Sequence, residues 1–140
     1  MDFAWISTHP WAYPTLEVVH LVGIGLLVGN LVLLELRVWG AGASLPVPAL
    51  ARLALGLAVG GFAVALGSGG LMLASQWDEL SGNRALWLKL GLVLLAGANA
   101  VVFHLRHGLE RLDGWAKAQT ALSLGLWLLV LVCGRFIAYV

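Results

Sequence analysis

EVVHLVGIGLLVGNLVLLELR, residues 17–37, is an apolar run long enough to cross a bilayer, with a histidine, an asparagine and two glutamates set into it. Spanning roughly 30 Å of hydrocarbon takes about 20 apolar residues in helical form. Three further runs of that kind follow, so the chain reads as four long helices over roughly residues 15–39, 49–76, 85–106 and 115–138. The four runs use nearly all of the 140 residues, which leaves no soluble domain for separate chemistry. The expected fold is all-α: a four-helix transmembrane bundle, up-down-up-down, forming one membrane domain with both termini outside.

Composition supports that reading. Apolar residues make up 61% of the chain and charged residues 11%, with a mean hydropathy of +0.93. These values lie well beyond ordinary soluble usage. A net charge of +1 supplies no basic surface for tracking phosphate backbones, so nucleic acid is excluded as a partner and the lipid bilayer takes its place. The single cysteine, Cys133, falls in the last apolar run and reads as a small hydrophobe. MDFAWISTHP at the start has an acid and no Lys or Arg before the first long run, unlike a secretory signal, so the first helix is expected to be retained.

Punctuation between the runs is clear. Residues 1–14 combine Trp5, Trp11 and Tyr13 with Pro10 and Pro14, and read as an arm lying at the headgroup level. Pro14 and Thr15 then signal the start of the first long helix. GAGASLPVP precedes the second, with Pro48 suited to a first helical turn. DELSGN offers turn chemistry and an N-cap for the third, and Asp113 is placed to cap the fourth. Arg37, Arg52, Arg106, Arg111 and Lys117 gather on the side of the first and last connections, against Arg84 in a loop on the other side. By the positive-inside rule the termini are expected to face away from the cytoplasm. Trp39 and Trp115 mark one interface, and Trp11, Trp77, Trp87 and Tyr139 the other. Gly25–Gly29 and Gly56–Gly60 form GxxxG pairs and GSGG fills 67–70, residues that allow close helix approach or room for a flat ligand.

Ionisable groups inside a membrane are costly and usually face the bundle interior. On the first long helix Glu17, His20, Leu27, Leu34 and Glu35 share a broad face with Asn30 at its margin. Lys89, Ala96, Ala100, Phe103 and His107 align on the third, which is expected to lie across from the first. His20 lies about 8 Å into its helix at 1.5 Å per residue, and His104 about 28 Å down its own from the same side, so one metal cannot take both. His20's level is instead shared by Glu17, Met72, Lys89 and Arg135, with His9 able to fold over from the arm. This set suits haem b, with His20 as axial ligand, His9 or Met72 as a second, and Lys89 and Arg135 near the propionates. Copper suits His and Met as well. A polar network without any cofactor, joining Glu17 to Lys89 with a hydrogen-bonded His20, stands beside both. Two further pairings are expected: Asn30 with Asn99 near mid-membrane, and Glu35 with Arg106 towards the cytoplasmic end. His104 and His107 read as interfacial residues. No P-loop, CxxC, HExxH or GxSxG occurs.

His20 followed by glycines, Glu35-Leu36-Arg37, Gly69 and Gly70, then Lys89 and Asn99, together resemble an uncharacterised bacterial family of small four-helix membrane proteins across residues 13–104. More distantly the chain is similar to copper-resistance-D-like membrane proteins and to four-helix b-type cytochromes. The resemblance implies haem or copper as ligand. Electron transfer, with a redox partner protein or a second copy of the chain, is the leading expectation. A copper-binding or permease-like protein and a structural or assembly subunit without cofactor are the alternatives.

Overall fold

The computed structural model describes residues 3–139, and all regular structure among them is helical. Seven helices follow in order: α1 Trp5–Thr8, α2 Ala12–Val38, α3 Val47–Ser75, α4 Trp77–Leu80, α5 Arg84–Leu105, α6 Gly108–Arg111 and α7 Gly114–Phe136. Of these, α2, α3, α5 and α7 are long and apolar enough to cross a membrane. The shortest, α5, has 22 residues and is therefore about 33 Å long. This is the four-helix, all-α architecture the sequence predicts, with three single-turn helices in the connections.

Local chemistry sets the boundaries. The first long helix starts three residues earlier than expected. His9 reaches over its N-terminus, where Nδ1 accepts the Trp11 and Ala12 backbone N–H groups at 3.1 and 3.2 Å. Pro14 then falls in the first turn, where a helix has no partner for the N–H that proline lacks. Pro48 likewise sits in the first turn of α3. Asn83 caps α5 by accepting from Ala85 and Leu86, and Asp113 caps α7 by accepting from Ala116 at 2.8 Å. The loop 39–46 turns through Gly40 and Gly42, with φ of +107° and +62°. Arg37 ties it down through Nε to the Leu45 carbonyl at 2.9 Å.

The long helices pack as two antiparallel hairpins. In the first, α2 lies on α3: the Tyr13 hydroxyl donates to Gln76 Oε1 at one end, and Leu34 packs with Ala51 and Ala54 at the other. In the second, α5 lies on α7, with Asn83 Nδ2 on the Ile137 carbonyl and Phe103 on Ala116. The first and third long helices are therefore not each other's main neighbours, as the shared polar faces had implied; each packs most closely on the helix that follows it. The hairpins meet at the end holding residues 38–47 and 105–114, termed the loop end. There Trp39 Nε1 donates to Thr120 Oγ1 at 2.8 Å, and Val38 packs with Phe103 and Ala116. Further along, Phe62 meets Trp127 edge to face at 6.3 Å.

Glycine decides how closely α2 and α3 approach, at positions other than the GxxxG pairs. A Cβ on Gly23 would stand 2.7 Å from Ala65 N and Gly61 O, and one on Gly61 2.6 Å from Gly23 O. Gly25, Gly29, Gly56 and Gly60 have nothing within 4 Å of that position and face outward. The buried residues are mostly small, and among the described residues no large side chain is fully buried. Leu21, Val59, Leu94, Leu105 and many like them are exposed, as suits helices whose outer surface meets lipid rather than water.

Candidate functional site

His20 is half-buried on the face of α2 that meets α3. Its Nδ1 lies 2.9 Å from the Ala65 carbonyl oxygen and 3.2 Å from Ser68 Oγ. A carbonyl can only accept, so the neutral ring carries its proton on Nδ1. Ser68 donates its own proton to the Val64 carbonyl at 2.7 Å, leaving its oxygen to share the Nδ1 proton. The opposite nitrogen, Nε2, makes no hydrogen bond among the described residues and keeps its lone pair. Gly69 makes room for the ring: a Cβ there would stand 3.1 Å from His20 Cε1.

The other residues expected at this level divide. Met72 follows Ala65 by seven and Ser68 by four residues, so it shares their face of α3, one turn nearer the termini. Lys89 is half-buried on α5 and reaches across to α7, with Nζ 3.3 Å from where a Cβ of Gly134 would be. Its charge lies within electrostatic reach of His20, and it has no carboxylate partner among the described residues. Arg135 is exposed and turned along its own helix, donating to the Tyr139 hydroxyl at 2.8 Å with its guanidinium over that ring.

Two expectations at this level are corrected. His9 cannot serve as the second axial ligand in this arrangement, because its Nδ1 is the acceptor that starts α2 and its Nε2 must then carry the proton. Glu17 is exposed and forms no ion pair with Lys89, so no network joins Glu17, Lys89 and His20.

Two pairings further along the bundle also differ. Asn30 donates to the Leu26 carbonyl of its own helix at 2.7 Å, and Asn99 to the Gln119 carbonyl at 2.9 Å, so they do not bond each other. Arg106 bonds Asp113 at 3.3 Å and Gln119 Oε1 at 3.0 Å, which leaves Glu35 without it. Glu35 is buried, and its Oε2 has no hydrogen-bond partner. The cause is common to both: a carbonyl or carboxylate a few residues away, or on the helix that follows, is nearer than the partner two helices off. His104 and His107 are exposed at the loop end.

Sequence reasoning missed Ser68, although a serine in an apolar run is a recognisable interhelical hydrogen-bonding group. Cys133, read from the sequence as a small hydrophobe, is buried next to Gly134, over which Lys89 lies. Among the described residues no three His, Cys, Asp or Glu side chains gather as a metal site would require. Comparisons with protein-family models, with curated proteins and with solved structures return no match.

Proposed function

We propose that this protein is a small haem-b-binding electron carrier of a bacterial inner membrane, with His20 Nε2 as the axial ligand. One observation carries the reading: Nδ1–H is held by a backbone carbonyl while Nε2 is left bare inside an apolar span. Metal-ligating histidines usually donate their other ring N–H to a carbonyl or carboxylate, which fixes the tautomer and raises the basicity of the ligating nitrogen. The donor set fits one axial bond. Met72, a turn away on the same face of α3, is the remaining side chain of this level that offers a second, and Lys89 provides an unpaired ammonium for a propionate. When bound, haem supplies a reversible one-electron couple. Ala65 and Ser68 orient the imidazole, and Gly69 leaves it room. The resemblance to four-helix b-type cytochromes favours the same reading. The excess of Arg and Lys at the loop end favours an up-down-up-down path with both termini on the periplasmic side.

The test is a reduced-minus-oxidised spectrum of the protein purified in detergent from haem-replete cells, with metal analysis of the same sample. A Soret band that is lost in His20→Ala is the expected result. A sample with no Soret band overturns the reading; copper in its place would assign the site to copper handling, and neither would leave an assembly subunit.

A further inference from the structure

At the loop end, about 22 Å along α2 from His20 at 1.5 Å per residue, the two hairpins border a partly open cavity of ≈ 50 Å³. Its polar lining comes from three helices: Glu35 on α2, Asn99 and His104 on α5, and Gln119, Thr120 and Ser123 on α7. Leu34 and Phe103 supply apolar wall. Glu35 is only 8% exposed and its Oε2 is an orphan. The nearest guanidinium, that of Arg106, is spent on Asp113 and Gln119.

The neighbours of Glu35 bring several oxygens to this space. The Asn99 amide donates one Nδ2 hydrogen to the Gln119 carbonyl, and its Oδ1 is left free to act as a ligand. The Thr120 hydroxyl proton goes to the Lys117 carbonyl and one lone pair to Trp39, which leaves one lone pair. The Ser123 hydroxyl donates to the Glu35 carboxylate and keeps its oxygen's lone pairs, while Oε2 stays without a partner. A carboxylate, an amide oxygen and two hydroxyls around a common space form a hard, oxygen-rich donor set. A buried carboxylate needs a compensating charge or donors, and no side chain of the described residues supplies one to Oε2.

We infer that Glu35, Asn99, Thr120 and Ser123 form a binding site for a monovalent metal cation, with sodium as the natural probe. Size and charge select that class. One water-sized occupant takes about 10–15 Å³, so the cavity holds a cation with a few waters and excludes a ring-bearing ligand. One carboxylate neutralises a single positive charge; a divalent ion would leave a net charge in a region of low dielectric, which costs several kcal/mol or more.

The test compares the melting temperature of the purified protein in sodium chloride and in choline chloride at equal ionic strength. Sodium raises it saturably in the wild type. Glu35→Gln abolishes the response, and Ser123→Ala weakens the apparent sodium affinity about three- to tenfold, as expected for one neutral ligand. Sodium NMR line broadening on the same samples gives the binding directly and serves if Glu35→Gln does not fold, since Ser123→Ala and Asn99→Ala must then reduce it. Equal melting in the two salts overturns the inference, as does an undiminished sodium response in Glu35→Gln. A wild type that responds to pH and not to sodium also overturns it, by making Glu35 a proton site.

Discussion

His20 gains its meaning from three residues of another helix. The Ala65 carbonyl fixes the proton, Ser68 Oγ shares it, and the absent side chain of Gly69 lets the ring lie close to α3. This makes Gly69 testable independently of the ligand itself. Gly69→Ala places a methyl group 3.1 Å from Cε1, and overpacking of that kind typically costs about 1–3 kcal/mol. Haem affinity is expected to fall about tenfold in Gly69→Ala and to stay unchanged in Gly70→Ala, whose Cβ would meet open space. Haemin titrations of the two variants side by side check the difference. His9 illustrates the opposite case, a histidine whose ring is committed to backbone. Its role was hidden in the sequence because histidine is not a usual helix-starting residue, whereas Ser, Thr, Asp and Asn are.

At the scale of the helices, what depends on near neighbours was legible and what depends on pairing was not. Asn83 and Asp113 could be read as caps because the groups they bond lie two or three residues away. Gly23 and Gly61 could not be found, because the GxxxG spacing drew attention to Gly25–Gly29 and Gly56–Gly60, and only the register of α2 on α3 shows which glycines face inward. Gly23→Leu should therefore drive the hairpin apart, lowering stability by about 1–3 kcal/mol or preventing folding. Gly25→Leu should change it by less than about 0.5 kcal/mol. Thermal unfolding in detergent distinguishes the two.

Asp113 adds a pH signature at the start of α7. Its carboxylate accepts the Ala116 N–H and faces the Arg106 guanidinium, which together hold it below the usual aspartate range. A depressed carboxyl stabilises the fold above the ordinary aspartate value of about 4. That contribution is lost as pH falls through the group's own lowered value. Asp113→Asn keeps the capping oxygen and removes the charge, so its melting temperature should approach that of the wild type in acid and fall behind it at neutral pH.

As a whole, the molecule is two hairpins joined at the loop end rather than a uniformly packed bundle. Small residues bring α2 onto α3, while most large apolar side chains face outward. The four long apolar runs declared the four spanning helices in the sequence, since span length and charge exclusion are properties of each run alone; how those helices pair was not declared. The partners of Glu35 and Arg106 were not legible, because they depend on which helix stands beside which. The measurement that bears most directly on the account is an optical titration of haemin into the purified wild type, His20→Ala and His9→Ala proteins. Stoichiometric binding with a histidine-ligated spectrum in the wild type and in His9→Ala, and at least a tenfold loss of affinity in His20→Ala, is the predicted result. Equal binding by all three, or binding by none, would contradict it.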